Sequence, residues 1–271
     1  MCGRYVIISK VAEIEKRFNV KVPHPDLIVP RANVGIGQNA PVIASDKIGE
    51  LQFFKFGFTP SWAEKRTYFF NARTEGDFNK EDNPQYNGGA GILQKPAFRK
   101  SIRSQRCLVV ADAFIEGPKK EKLSKPFAVY MRDGQRPFAF AGIWDEWIDK
   151  ETGEIERSFA ILTTAANSLM QRIGHHRGPV ILNREDEASW LDAKTPLAEI
   201  SQLMKPFESE RMNAYPISPE IKHPGAEGLQ LLAPIGQRVV PEFDYEIFSE
   251  IKMWGMGESP ARERKERENR A

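Results

Sequence analysis

Cys2 follows the initiator Met, and cysteine is small enough for a methionine aminopeptidase to remove Met1. A mature chain beginning at Cys2 would carry an α-amine and a thiol on adjacent carbons. An α-amine has a pKa of about 7.7 to 8.0 against about 10.4 for lysine. Near pH 7.5 roughly a third of it is therefore neutral, an advantage of some two orders of magnitude as a nucleophile. The pair suits an aldehyde: the amine forms a Schiff base, and the thiol closes onto it to give a five-membered thiazolidine. The alternative for Cys2 is a small buried residue, the common setting of a free cysteine.

Further candidates carry protons or grip anions. Asn71 and Arg73 sit two apart, so in an extended segment both side chains face the same way. An amide can position a sugar hydroxyl or an amine, and a guanidinium can hold phosphate with two hydrogen bonds; the alternative is a turn with a solvated Arg. Glu116 ends an apolar stretch from Leu108 to Ile115, where a partly buried carboxyl with a raised pKa could move protons. A solvated glutamate at a strand end is the competing reading. His175 and His176 are two of the four histidines and precede Arg177. No third ligand has suitable spacing, so they do not read as a metal site. Histidine titrates near neutrality, which suits proton transfer. Trp62 reads equally as a base-stacking or wedging residue and as a core tryptophan.

These residues must be positioned by a chain of 271 residues and 30.8 kDa. With 41% hydrophobic and 28% charged residues, its composition is that of an ordinary soluble protein with a sizeable core. Two cysteines, Cys2 and Cys107, are too few for a disulfide scaffold or a cysteine-rich zinc site. No run of about 18 apolar residues occurs, which argues against a membrane span. The N-terminus lacks the features of a secretory signal, so the expectation is an intracellular, cytoplasmic protein, nucleoid-associated if bacterial. The net charge of +2 excludes neither nucleic acid nor acidic ligands, because the distribution of charge decides.

Tyr5 to Ile8 reads as a strand, and Val11, Ile14 and Phe18 as one face of a short helix. The Pro- and Gly-rich stretch from Val22 to Ala40 reads as loop. Strand candidates follow at Pro41–Ala44, Leu51–Phe56, Leu108–Ala111, Pro126–Met131, Phe138–Trp144 and Phe159–Thr164, without the regular helices of a doubly wound sheet. Two short helices are expected around Trp190–Leu191 and Leu197–Leu203, broken at Pro196, with a polar start at NREDE. The reading is one α+β domain over 2–255 and a charged tail over 256–271, disordered or a mixed-charge helix.

The opening CGRY resembles the SRAP proteins, named as SOS-response-associated peptidases and known as sensors that crosslink themselves to abasic sites in DNA. Further blocks follow in order: FGFTPSWA at 56–63, NARTE at 71–75, RCLVVADAFIE at 106–116, FAGIWDEW at 140–147, FAILTTAAN at 159–167, HHRGPVIL at 175–182 and YPIS at 215–218. The order and number of the blocks carry the resemblance. It implies a mainly antiparallel, barrel-like sheet with peripheral short helices. It also implies a monomer that binds single-stranded DNA at an abasic site and forms a thiazolidine through Cys2, with no metal or organic cofactor. Asn71 would lie against the adduct, Glu116 would act as acid or base, and His175 would donate a proton to the deoxyribose ring oxygen. Arg73 and Arg177 would face phosphate, and Arg4, Arg99, Arg103 and Arg106, in or beside the matched blocks, complete the expected arginine face. A Schiff base formed first would allow strand cleavage as a lyase side reaction, and the peptidase name would reflect autocatalytic removal of Met1. The sequence departs from the family pattern at Ile36, Ala63, Gly117 and Gly178. The rival readings are a cysteine peptidase acting on peptides in trans and a non-covalent single-stranded-DNA-binding module.

Overall fold

The structure, a computed structural model, describes residues 3–86, 90–223 and 225–242. Cys2, the expected domain boundary at 255 and the expected tail over 256–271 lie outside the described residues. The strands are β1 (Arg4–Ile7), β2 (Arg31–Gly35), β3 (Asn39–Ala44), β4 (Gln52–Phe56), β5 (Asn71–Arg73), β6 (Arg106–Ala111), β7 (Ala113–Glu116), β8 (Phe127–Met131), β9 (Phe138–Ile148), β10 (Ile155–Ala165), β11 (Arg177–Pro179), β12 (Ile181–Leu182) and β13 (Met212–Pro216). The helices are α1 (Val11–Phe18), α2 (Ser101–Ser104), α3 (Ser168–Arg172), α4 (Glu187–Leu191) and α5 (Leu197–Leu203).

Five strands in the order β10, β4, β3, β6, β9 close into a barrel through a further β9–β10 pairing. Its β4–β10 seam is parallel and its other seams are antiparallel. A second, antiparallel sheet runs β13, β8, β7, β1, β2. The expected α+β, mainly antiparallel and barrel-like architecture is what the chain adopts. No helix among the described residues is long and apolar enough to cross a membrane.

Two expectations need correction. The stretch from 22 to 40 is not all loop, because β2 lies within it and pairs with β1, and β3 begins at Asn39. Its prolines and glycines mask this strand, and Gly37, at φ +88°, lies where the chain crosses from β2 in the second sheet to β3 in the barrel. The apolar run from 108 to 115 is not one strand either: it leaves the barrel as β6 and enters the second sheet as β7, turning at Asp112. There the buried carboxylate accepts hydrogen bonds from Ile8 N (2.6 Å), Ser9 N (2.8 Å) and Ser9 Oγ (2.5 Å). Both halves are buried, so hydrophobicity carries no mark of the switch.

An aromatic cluster joins the two layers. Tyr5 on β1 packs edge-on against Phe56 and Phe140 of the barrel, at centroid distances of 5.5 and 5.9 Å. Phe56 stacks on Phe159, and Phe114 on β7 meets Phe140 edge-on. Truncating one such buried ring to alanine typically costs about 3–5 kcal/mol. Tyr5 therefore anchors the start of the chain against the barrel within two residues of the first one described.

Candidate functional site

The β1–β7 register pairs Tyr5 with Phe114 and Val6 with Ala113. Continued outward, it brings Gly3 level with Glu116 at the end of β7. The third contributor is the loop between α3 and β11. Asn167 caps α3 by accepting from Met170 N (3.0 Å), and His175 N returns to Met170 O (2.9 Å), which presents the His175 ring toward Glu116. Gly3, Arg4, Phe70, Glu116, Lys119 and His175 are among the residues lining one cavity of about 630 Å³.

His175 Nε2 lies 3.2 Å from Glu116 Oε2, with both side chains at 5% exposure or less. His175 Nδ1 is 2.8 Å from the Arg177 carbonyl. A carbonyl oxygen can only accept, so Nδ1 carries the ring proton and Nε2 presents its lone pair to Glu116. Burial pushes the Glu116 carboxyl up to about 7 and the His175 imidazole down to about 3. Below about pH 7 the shared proton therefore rests on Glu116, which donates it to Nε2. The expectation that His175 titrates near neutrality is corrected: the buried imidazole is neutral, and the proton source is the carboxyl. Such a pair is suited to general acid catalysis at an electrophilic carbon in the cavity.

The remaining expected residues divide. Asn71 and Arg73 are both half-buried on β5, with Ala72 between them fully buried, as strand alternation requires. Asn71 Nδ2 donates to the carbonyl of Phe70, a cavity residue. Arg4 lines the cavity, and its guanidinium donates to Asn33 Oδ1 (2.6 Å) and the Lys222 carbonyl (2.8 Å). Trp62 is 63% exposed, which removes its reading as a core tryptophan, but it does not line the cavity. Arg99 and Arg103 are exposed and also lie outside the cavity lining.

Arg106 and Arg177 correct the expectation of a DNA-facing arginine cluster. Each is 1% exposed. Arg106 donates to the carbonyls of Ile102, Arg103, Trp190 and Asp192, tying α4 and the end of α2 to the barrel. Arg177 Nη2 pairs with Glu75 (2.7 Å) and donates to the Thr163 carbonyl (2.8 Å), so its contribution to the cavity is the main-chain carbonyl that orients His175.

Two cavity-lining lysines and a carboxylate paired with one of them escaped the sequence reading. Lys119 and Lys122 are exposed and line the cavity. Asp82 gathers Arg73 (2.7 Å), Lys119 (3.3 Å), Arg177 (3.5 Å) and His176 (3.6 Å). Burial opposes ionisation of Asp82, but Lys119, Arg73, His176 and Arg177 outweigh it and hold the carboxyl below its ordinary value. Burial also lowers His176, to about 4, despite Asp82. The lysines follow Glu116 closely in sequence, a signal available beforehand; Asp82 offered none. The departure at Gly117 has a steric reason, since a Cβ there would lie 1.8 Å from the Lys122 carbonyl. Among the described residues, no three His, Cys, Asp or Glu side chains are grouped to hold a metal ion.

The sequence profile of the SOS response associated peptidase (SRAP) family matches residues 1–224. The chain belongs to this family. This SRAP chain is 32% identical over 242 residues to the abasic site processing protein YoqW of Bacillus subtilis, covering 86% of the chain and 99% of that protein. It is 26% identical over 222 residues to the abasic site processing protein HMCES of Xenopus tropicalis, covering 71% of the chain and 62% of that protein. A crystal structure of a protein from Bacteroides thetaiotaomicron superposes with a TM-score of 0.70 at 29% identity, covering 85% of this SRAP chain and 98% of the other.

Proposed function

We propose that this SRAP chain processes abasic sites in single-stranded DNA, and that it does so by forming a thiazolidine through Cys2 once Met1 has been removed. The observation that carries this reading is the placement of Gly3, the residue bonded to Cys2, in the wall of the cavity that holds the Glu116–His175 pair. The names of the relatives support the substrate class.

The steps balance without a redox partner or metal. The Cys2 amine adds to the C1′ aldehyde of the ring-opened sugar, giving a carbinolamine. Glu116 supplies the proton with which its hydroxyl leaves as water, and the Schiff base forms. The Cys2 thiol then adds to the imine carbon, its proton passing to nitrogen, which closes the thiazolidine. His175 Nε2 holds the Glu116 proton in line, and for ring opening Glu116 donates it to the sugar ring oxygen while the C1′ hydroxyl releases its proton to solvent, so that the aldehyde is exposed. Asn71 orients the sugar from beside Phe70, and Arg4 and Arg73 supply positive charge for phosphate. Elimination of the 3′ phosphate from the Schiff base, before closure, is the lyase side reaction. Removal of Met1 by hydrolysis of the Met1–Cys2 bond is the family's peptidase step.

The test is incubation with an abasic single-stranded oligonucleotide followed by denaturing electrophoresis. The expected result is a denaturation-resistant adduct whose mass is that of protein plus DNA minus one water, absent in Cys2→Ala. A complex that disappears on denaturation would instead identify a non-covalent binding module. Turnover of peptides in trans with no adduct would identify a cysteine peptidase.

A further inference from the structure

The network around Asp82 borders the cavity through Lys119 and His176 and takes no part in the proton chemistry. Arg73, Arg177 and Lys119 supply three cations against the carboxylates of Asp82 and Glu75, and burial keeps His176 neutral at pH 7. Arg177 is already satisfied by Glu75 and Thr163. Asp82 thus serves mainly Arg73, through Oδ1 at 2.7 Å, and Lys119, through Oδ2 at 3.3 Å. The side chains of these two cations are 31% and 56% exposed, and Lys119 lines the cavity. Asp82 reaches them from a left-handed backbone conformation, φ +58°, which aspartate tolerates better than most L-residues and which the neighbouring turn holds in place. The Asn79 side chain supplies part of that hold by bonding both the N–H and the carbonyl of Asn83.

A carboxylate and a phosphodiester present the same two-oxygen edge to a guanidinium and an ammonium. We propose that Asp82 occupies, in the DNA-free protein, the seat that a backbone phosphate takes, so that an undamaged single strand must displace it from Arg73 and Lys119. The inference rests on the reading that the cavity receives DNA. It makes Asp82 a specificity-determining residue: undamaged strands are held weakly and released, while an abasic strand is retained by its covalent bond.

The test measures the affinity of the full chain for an intact single-stranded oligonucleotide by fluorescence anisotropy across a salt series. Asp82→Asn and Asp82→Ser are compared in parallel, with melting curves to establish that each is folded. The expected result is a Kd about 5- to 10-fold lower at low salt, with a salt slope steeper by about 0.7 for each phosphate gained. Adding Arg73→Gln to Asp82→Asn should erase most of the gain. Unchanged or weaker binding by the folded variants would overturn the inference and assign Asp82 to holding Arg73 in position for DNA. The abasic oligonucleotide separates the two claims. A wild-type protein that forms no adduct defeats the crosslinking reading whatever the affinities, whereas an adduct without tighter binding by the variants defeats this inference alone.

Discussion

Asp112 and Glu116 flank the same short strand, both are 4% exposed or less, and burial raises the pKa of both. Their surroundings make them different instruments. Asp112 faces two main-chain N–H groups and a hydroxyl on the segment that follows β1, so its carboxylate is spent on holding the corner where the chain changes sheets. Glu116 faces a cavity and the lone pair of a neutral imidazole. A buried carboxyl whose neighbours are fixed main-chain donors is architecture. One whose neighbour can take or return a proton, beside space for a substrate, is equipped for chemistry.

The largest effect that tests this contrast is Glu116→Gln, expected to slow adduct formation by about 10²- to 10⁴-fold while unfolding in urea stays near wild type. Equal slowing by Asp112→Asn would erase the distinction. Asp112→Ala comes next: it leaves the buried Ser9 N and the half-buried Ile8 N without their acceptor and should lower stability by about 2–4 kcal/mol, read from the urea midpoint. The adduct rate of its folded fraction should remain that of wild type.

The pH profile sharpens the same contrast. Glu116 is raised, so its proton is present below about pH 7 and lost above it. The Cys2 amine becomes neutral as pH rises through about 7.7 to 8.0. The product is a bell with its maximum between about pH 7 and 8, its alkaline limb falling about tenfold per unit, and Glu116→Gln should lose that limb. The smallest effect is Ser9→Ala, which removes one of the three bonds to Asp112 and should cost about 1 kcal/mol with no change in the adduct rate.

Much of the scaffold was legible because strand and helix periodicity are local. Val11, Ile14 and Phe18 mark α1, and the apolar runs at 41–44, 51–56, 126–131 and 138–144 overlap strands to within two residues at their starts. The edge strand β2 was hidden by turn residues around it, and the switch from β6 to β7 by an apolar run that continues through both sheets. Of the candidate site, Glu116 and His175 lie 3.2 Å apart although 59 residues separate them, a contact that neither block spells out. Arg106 and Arg177 look in sequence like any solvated arginine, yet their acceptors lie up to 86 and 102 residues away and take them out of solvent.

The sequence by itself determined the reactive pairing of amine and thiol that removal of Met1 would expose, the order of the family blocks and the α+β class, because each is written in neighbouring residues. Tertiary structure decided on which side of the Glu116–His175 pair the proton resides, which cations remain accessible, and that Asp82 lies among them. Each of these depends on desolvation and on charges brought together from distant parts of the chain, and neither quantity exists until the two sheets have packed.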